Sequence, residues 1–74
     1  MIMKEIEKNA SSILELLGQN GNLSIREIGD LTHFRDRIIF MALGWLLKEG
    51  KIHFLERNGS LCVEINNSFS EVYY

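Results

Sequence analysis

Two runs of alternating polarity, K-I-H-F-L-E-R (Lys51–Arg57) and S-L-C-V-E-I-N (Ser60–Asn66), are separated only by Asn58-Gly59. An Asn-Gly pair in that setting specifies a two-residue β-hairpin, because a type I′ turn needs positive φ at both central positions and these residues tolerate it. The turn sets the register: Arg57 faces Ser60, Glu56 faces Leu61, Leu55 faces Cys62, Phe54 faces Val63, His53 faces Glu64 and Ile52 faces Ile65. One face then collects Ile52, Phe54, Leu61, Val63 and Ile65. The other carries Lys51, His53, Arg57, Ser60 and Glu64, with Leu55 and a half-buried Cys62 among them. A slip of one residue would invert both faces, so turn and alternation specify the same pairing.

The sequence before the hairpin has helical periodicity. Ile6, Ala10, Ile13, Leu14 and Leu17 recur at three- and four-residue steps while Lys4, Glu5, Lys8 and Glu15 fall elsewhere, which predicts an amphipathic first helix over residues 1–18. Gly18 and the Q-N-G-N that follows are expected to end it; Leu23 could pair briefly with a sheet edge. Ser24 to Glu27 spells the capping box S-x-x-E at the start of a short helix reaching Leu31, with Ile25, Ile28 and Leu31 facing inward. Gly29 in its middle would allow close approach of another helix. Thr32-His33-Phe34 is a tight connector to a third helix, which Gly50 ends and Lys48 favours in its last turn. A short helix, a tight turn and a longer helix is the helix-turn-helix layout, here over 24–50. The hairpin occupies 51–66. Residues 67–74, containing Phe69, Tyr73 and Tyr74, form a tail expected to dock on its own core or on a neighbouring subunit.

With 74 residues the chain makes one small domain, whose core buries only roughly 60% of the unfolded surface. A hydrophobic fraction of 46% is generous for so short a chain, and small scaffolds often gain stability from a partner subunit. The net charge of −2, from 8 basic and 10 acidic residues, lacks the excess of cations that neutralises phosphates in most free-standing nucleic-acid binders. The single cysteine suits a reducing compartment, and no apolar run is long enough to span a membrane or serve as a signal peptide. The expected location is the cytoplasm, with no membrane partner.

Three helices followed by a hairpin is the order of a winged helix-turn-helix domain, an α+β, mainly α, class. The run A-L-G-W-L-L-K-E-G-K-I, Ala42–Ile52, sharpens this. Across Ile6 to Ile65 the chain resembles a small family of bacterial and archaeal winged helix-turn-helix proteins that carry the same A-L-G-W-L segment and have about this length. The resemblance implies a DNA-binding-type fold of the regulator kind, without an assigned biochemical role. The chain departs from the pattern at the turn, where His33 replaces the usual glycine and Arg35 the usual Ser or Asp cap.

The third helix supports two functional readings. A recognition helix presents its N-terminal side chains to the major groove, and here these are Arg35, Asp36 and Arg37, with Lys48 near the far end. The hairpin would be the wing, with Lys51 and His53 on one face and Arg57 near the tip, where an arginine can enter a minor groove. Arg35, Arg37, Lys48, Lys51 and Arg57 are therefore the candidate DNA contacts. Between His33 and Ser60 five basic residues oppose three acidic ones, so this segment carries +2 and the remainder −4. The bland account is a solvated turn with local ion pairs. The second reading starts from composition. With Ile39, Leu43 and Leu46 inward and Ile38 and Ala42 flanking them, the outer side holds Phe40, Met41, Gly44 and Leu47, with Trp45 at the border. Apolar patches containing such residues mark partner surfaces, most often of symmetric dimers. Phe40, Met41, Gly44, Trp45, Leu47, Phe69 and Tyr73 are the candidate dimer contacts. The competing account packs them beneath the wing and tail of the same chain.

Catalytic signals are lacking. The two histidines, His33 and His53, are far from any metal-binding spacing; there is no C-x-x-C, paired acidic motif or glycine-rich phosphate loop. His53 facing Glu64 reads as a cross-strand polar pair. The expectation is a non-enzymatic, homodimeric, DNA-binding regulator-type domain without cofactor, metal or small-molecule ligand. The alternative is an interaction module that keeps the fold and reads no DNA.

Overall fold

Asn58 and Gly59 both take left-handed backbone, with φ of 53° and 82°, and the hairpin they close pairs Arg57 with Ser60 through Ile52 with Ile65 in the register expected from the turn. The computed structural model describes residues 3–66. In chain order its elements are α1 (Met3–Asn20), β1 (Leu23–Ser24), α2 (Ile25–Thr32), α3 (Asp36–Lys48), β2 (Ile52–Arg57) and β3 (Ser60–Ile65). The candidate tail residues Phe69, Tyr73 and Tyr74 lie outside the described residues.

The sheet has three strands in the order β1-β3-β2, all antiparallel, because Leu23 pairs with Val63 and Ser24 with Cys62. β3 is thus the central strand. The core lies between this sheet and the helices. Ala10, Ile13 and Leu17 of α1, Ile28 of α2, and Ile39, Ala42, Leu43 and Leu46 of α3 meet Leu23, Ile52 and Val63. α1 packs chiefly against α3. Ile6 and Leu14, expected on the α1 stripe, are half-buried at its margins.

Each helix end has an identifiable cause. α1 continues past Gly18 to Asn20, where the Gly21 amide bonds Leu17 O at 2.9 Å and the Asn20 side chain bonds Leu16 O. Ser24 caps α2 reciprocally with Glu27: the Glu27 amide donates to Ser24 Oγ at 3.0 Å and the Ser24 amide to Glu27 Oε1 at 2.8 Å. His33 ends α2 in left-handed backbone (φ 62°) and its amide bonds Gly29 O, so the histidine does by strain what glycine does freely at such a position. Arg35 takes the N-cap position of α3 in extended backbone with no side-chain cap bond. At the other end Gly50 (φ 72°) donates to Leu47 O and Lys51 to Leu46 O, both at 3.0 Å, a Schellman closure that turns the chain into β2.

Asn66 fastens the base of the hairpin. Its side-chain amide donates to Gly50 O and Ile52 O while its backbone amide donates to Lys51 O. Its Oδ1 therefore faces His53 Nδ1 at 2.5 Å, making Nδ1 a donor, and His53 Nε2 lies 3.1 Å from Glu64 Oε1.

Four expectations are corrected. Leu31 is 52% exposed, because it lies about 60° around the helix from Ile28 on the side away from Ile25. Leu61 is 48% exposed, since it pairs with Glu56 beyond the reach of the short β1 and projects past the core. Cys62 is fully buried: it lies in the central strand, with Ser24 on one side and Leu55 on the other. Gly29 is not required by close helix packing. A Cβ there would meet Ile39 Cδ1 at 3.6 Å, an ordinary contact. Gly29→Ala should therefore stabilise the domain by about 0.5–1 kcal/mol, read as a higher urea midpoint at unchanged slope. A loss of stability would show that α2 and α3 pack more tightly than this.

Candidate interaction face of the third helix

α3 is a helix with two different faces. Ile39, Ala42, Leu43 and Leu46 are at most 2% exposed, which accounts for the inward stripe. On the opposite side Phe40 is 51% exposed, Met41 43% and Leu47 43%, with Gly44 open to solvent between them. The wing of the same chain therefore leaves the outer side of α3 uncovered among the described residues. Trp45 is half-buried at the border, with Lys48 Nζ 5.2 Å from its ring centroid, a cation–π contact that covers one ring face. A Cβ on Gly44 would meet nothing within 4 Å. Packing among the described residues thus gives no reason for a glycine in the middle of a helix, where it costs about 1 kcal/mol relative to alanine.

Cations flank this apolar strip. Arg35, Arg37, Lys48 and Lys51 are all exposed, and among the described residues none of them has an acidic partner within ion-pair distance. Arg35 and Arg37 sit at the start of α3, while Lys48 and Lys51 sit where it passes into β2.

Arg57 is placed differently. Its guanidinium reaches back from the end of β2 to α2, bonding Asn22 Oδ1 and, at 3.2 Å, Glu27 Oε1. The wing-tip cation is thereby held against the helix-turn-helix. The sequence carried no signal for this contact, because Asn22 and Glu27 are 35 and 30 residues away and Glu27 was already accounted for by the capping box. The Ser24 amide first, and then the Arg57 guanidinium, hold the Glu27 carboxyl below the usual carboxylate range.

Other chemistry is sparse. Cys62 is a free, buried thiol. Among the described residues no group of three or more His, Cys, Asp or Glu could hold a metal ion, and no helix is long and apolar enough to cross a membrane.

A capped short helix, a tight turn, a second helix and a hairpin folded against them define a winged-helix domain. The chain belongs to the winged helix-turn-helix domain family DUF2582, whose family model matches residues 1–65. In fold it is similar to the solution NMR structure of protein BT2368 from Bacteroides thetaiotaomicron, with a TM-score of 0.80 and 23% sequence identity over 100% of this chain and 89% of that one. No curated protein matches it.

The Arg57–Glu27 contact has a pH signature. A carboxyl with a lowered folded pKa contributes stability that is fully present above its unfolded value, about 4.3 for glutamate, and is lost as pH falls through the folded value. Glu27→Gln preserves the capping-box pattern but not the charge. The stability difference between wild type and Glu27→Gln should be largest near neutral pH and shrink towards pH 3, measured by urea unfolding across the series. A difference independent of pH would mean that the charge contributes nothing.

Proposed function

We propose that this domain works as a protein-interaction module of the winged-helix type, and that its outer α3 face is the interface through which it self-associates. The observation that carries this reading is the exposure of Phe40, Met41 and Leu47 along one helix whose position would otherwise suit groove reading. Large apolar side chains gathered on an exposed face gain free energy by leaving water, whereas a base-reading helix presents hydrogen-bonding groups. Trp45 and Lys48 extend the face at its border. The unaltered protein should sediment at twice its 8.6 kDa monomer mass at sufficient concentration. Phe40→Glu should return it to monomer with its circular dichroism unchanged. A mass of 8.6 kDa at every concentration would overturn the reading.

A second reading, DNA binding, is favoured by Arg35 and Arg37 at the start of α3, which have no acidic partner among the described residues. Phosphate contact is the chemistry these residues offer, and with Arg57 held by Glu27 it rests on them together with Lys48 and Lys51 at the other end of α3. Fluorescence anisotropy with a duplex at low salt should then show binding that weakens steeply as salt rises. Arg35→Ala and Arg37→Ala should each reduce it and lower the salt dependence by about one ion. No binding at low salt would eliminate DNA as a partner.

A further inference from the structure

The outer stripe of α3 has an internal symmetry that specifies how two copies would meet. With successive residues about 100° apart on a helix, Gly44 falls at its middle. Phe40 and Leu47 lie on one edge, Met41 and Lys48 on the other, each pair spanning Gly44 by one turn. Arg37 stands farther out towards the start of the helix, which ends at Lys48. The pattern therefore reads nearly the same from either end, large residues on both sides of a glycine.

We propose that a second copy of this chain docks on this face with its α3 antiparallel to the first, the two helices crossing at Gly44 on a twofold axis. The proposal rests on the reading that the outer α3 face is an interface, and it names the occupant and the geometry. A twofold axis perpendicular to the helix reverses chain direction but keeps each edge of the stripe on its own side. Phe40 then faces Leu47 of the second copy, and Met41 lies along the methylene stem of Lys48 of the second copy. The two glycines come together on the axis, where the absence of a side chain lets the backbones approach. This supplies a reason for Gly44 that the described residues of its own chain do not: among them a Cβ there meets nothing within 4 Å. The antiparallel direction is also favoured electrostatically. In an antiparallel pair the helix dipoles run in opposite senses, so the positive start of each helix lies towards the negative end of the other. A parallel pair would place Arg37 on Arg37, Lys48 beside Lys48 and both positive helix ends together. One helix pair is a small interface, so the dissociation constant is expected on the order of micromolar.

The crossing point can be tested with two substitutions at Gly44. Gly44→Cys in a Cys62→Ala background brings two thiols to the axis, within the α-carbon separation a disulfide requires. Under mild oxidation it should form a covalent dimer, the disulfide trapping a contact that the added Cβ weakens. Ser11→Cys in the same background, on the exposed side of α1, should not. Gly44→Ala should have opposite effects at two levels. The melting temperature of the dilute monomer rises, since the methyl enters open space and favours the helix. The dimer dissociation constant rises at least tenfold, since two methyls now occupy the crossing. If the unaltered chain dimerises and Phe40→Glu abolishes this, while Gly44→Cys stays reduced and Gly44→Ala leaves the dissociation constant unchanged, the antiparallel crossing is wrong and the interface survives. If the unaltered chain is monomeric at every concentration, both fall together.

Discussion

The pairing of two residues, Leu23 and Ser24, with Val63 and Cys62 joins the hairpin to the helices. Without it the wing would be a two-stranded ribbon held to the helices only by side-chain contacts such as those of Ile52 and Val63 in the core, and such ribbons are marginal by themselves. With it, β3 becomes the central strand, so both Val63 and Cys62 are fully buried and the sheet closes one side of the core. The same two residues lead directly into α2, because Ser24 is at once the end of the strand and the N-cap of the helix. Strand pairing, helix capping and the Glu27–Arg57 bridge thus converge on one corner of the molecule. That corner holds the wing against the helix-turn-helix.

Local chemistry made most of this architecture legible in the sequence. Asn58-Gly59 specified a turn and a register, Ser24 and Glu27 a capping box, Gly50 a helix stop, and the periodicity of Ile13, Leu17, Ile39, Leu43 and Leu46 a core; each was found in place. What was not legible is non-local. Cys62 looked half-exposed because alternation assigns it to the polar face, and only the third strand shows that β3 has neighbours on both sides. Leu61 looked buried for the same reason, though it lies beyond the short strand that creates the core on that side. Arg57 looked like a free wing-tip cation, since nothing in the linear sequence brings Asn22 and Glu27 to it. The outer face of α3 was the opposite case. Its residues could be enumerated from helical periodicity, and Phe40, Met41, Gly44 and Leu47 all proved exposed.

Position and composition make different demands on α3. As the second helix of a helix-turn-helix it occupies the place from which related folds read the major groove. Between Arg37 and Lys48, however, its only hydrogen-bonding side chain is the half-buried Trp45 at the border, whose indole N–H is a donor. A base-reading helix needs such groups over its first two turns, because the edges of bases are polar and an unpaired base edge buried against Phe40 or Met41 would lose its hydrogen bonds to water without replacement. The wing adds little to compensate, since the Glu27 carboxylate beside Arg57 offsets the guanidinium's attraction for a phosphate. What the face does offer is apolar area, and in a chain with so small a core that area is most economically covered by another protein surface.

The same logic explains why the two functional readings compete rather than add. If a second copy covers Phe40, Met41, Gly44 and Leu47, the middle of α3 is no longer available to a groove. Only Arg35 and Arg37 then remain at its exposed start. A duplex approaching them would have to be met by both copies of the helix start, which an antiparallel pair places at opposite ends of the interface. With the crossing at Gly44, eight residues from the start of α3 at Asp36, and about 1.5 Å per residue, those starts lie roughly 24 Å apart along the helix direction. Two recognition helices that read successive major grooves on one side of a duplex are separated by about 34 Å. An α3–α3 dimer is therefore too compact to place both helix starts in successive grooves. Self-association through this face, as proposed, and operator-style DNA reading are therefore alternatives at the level of geometry.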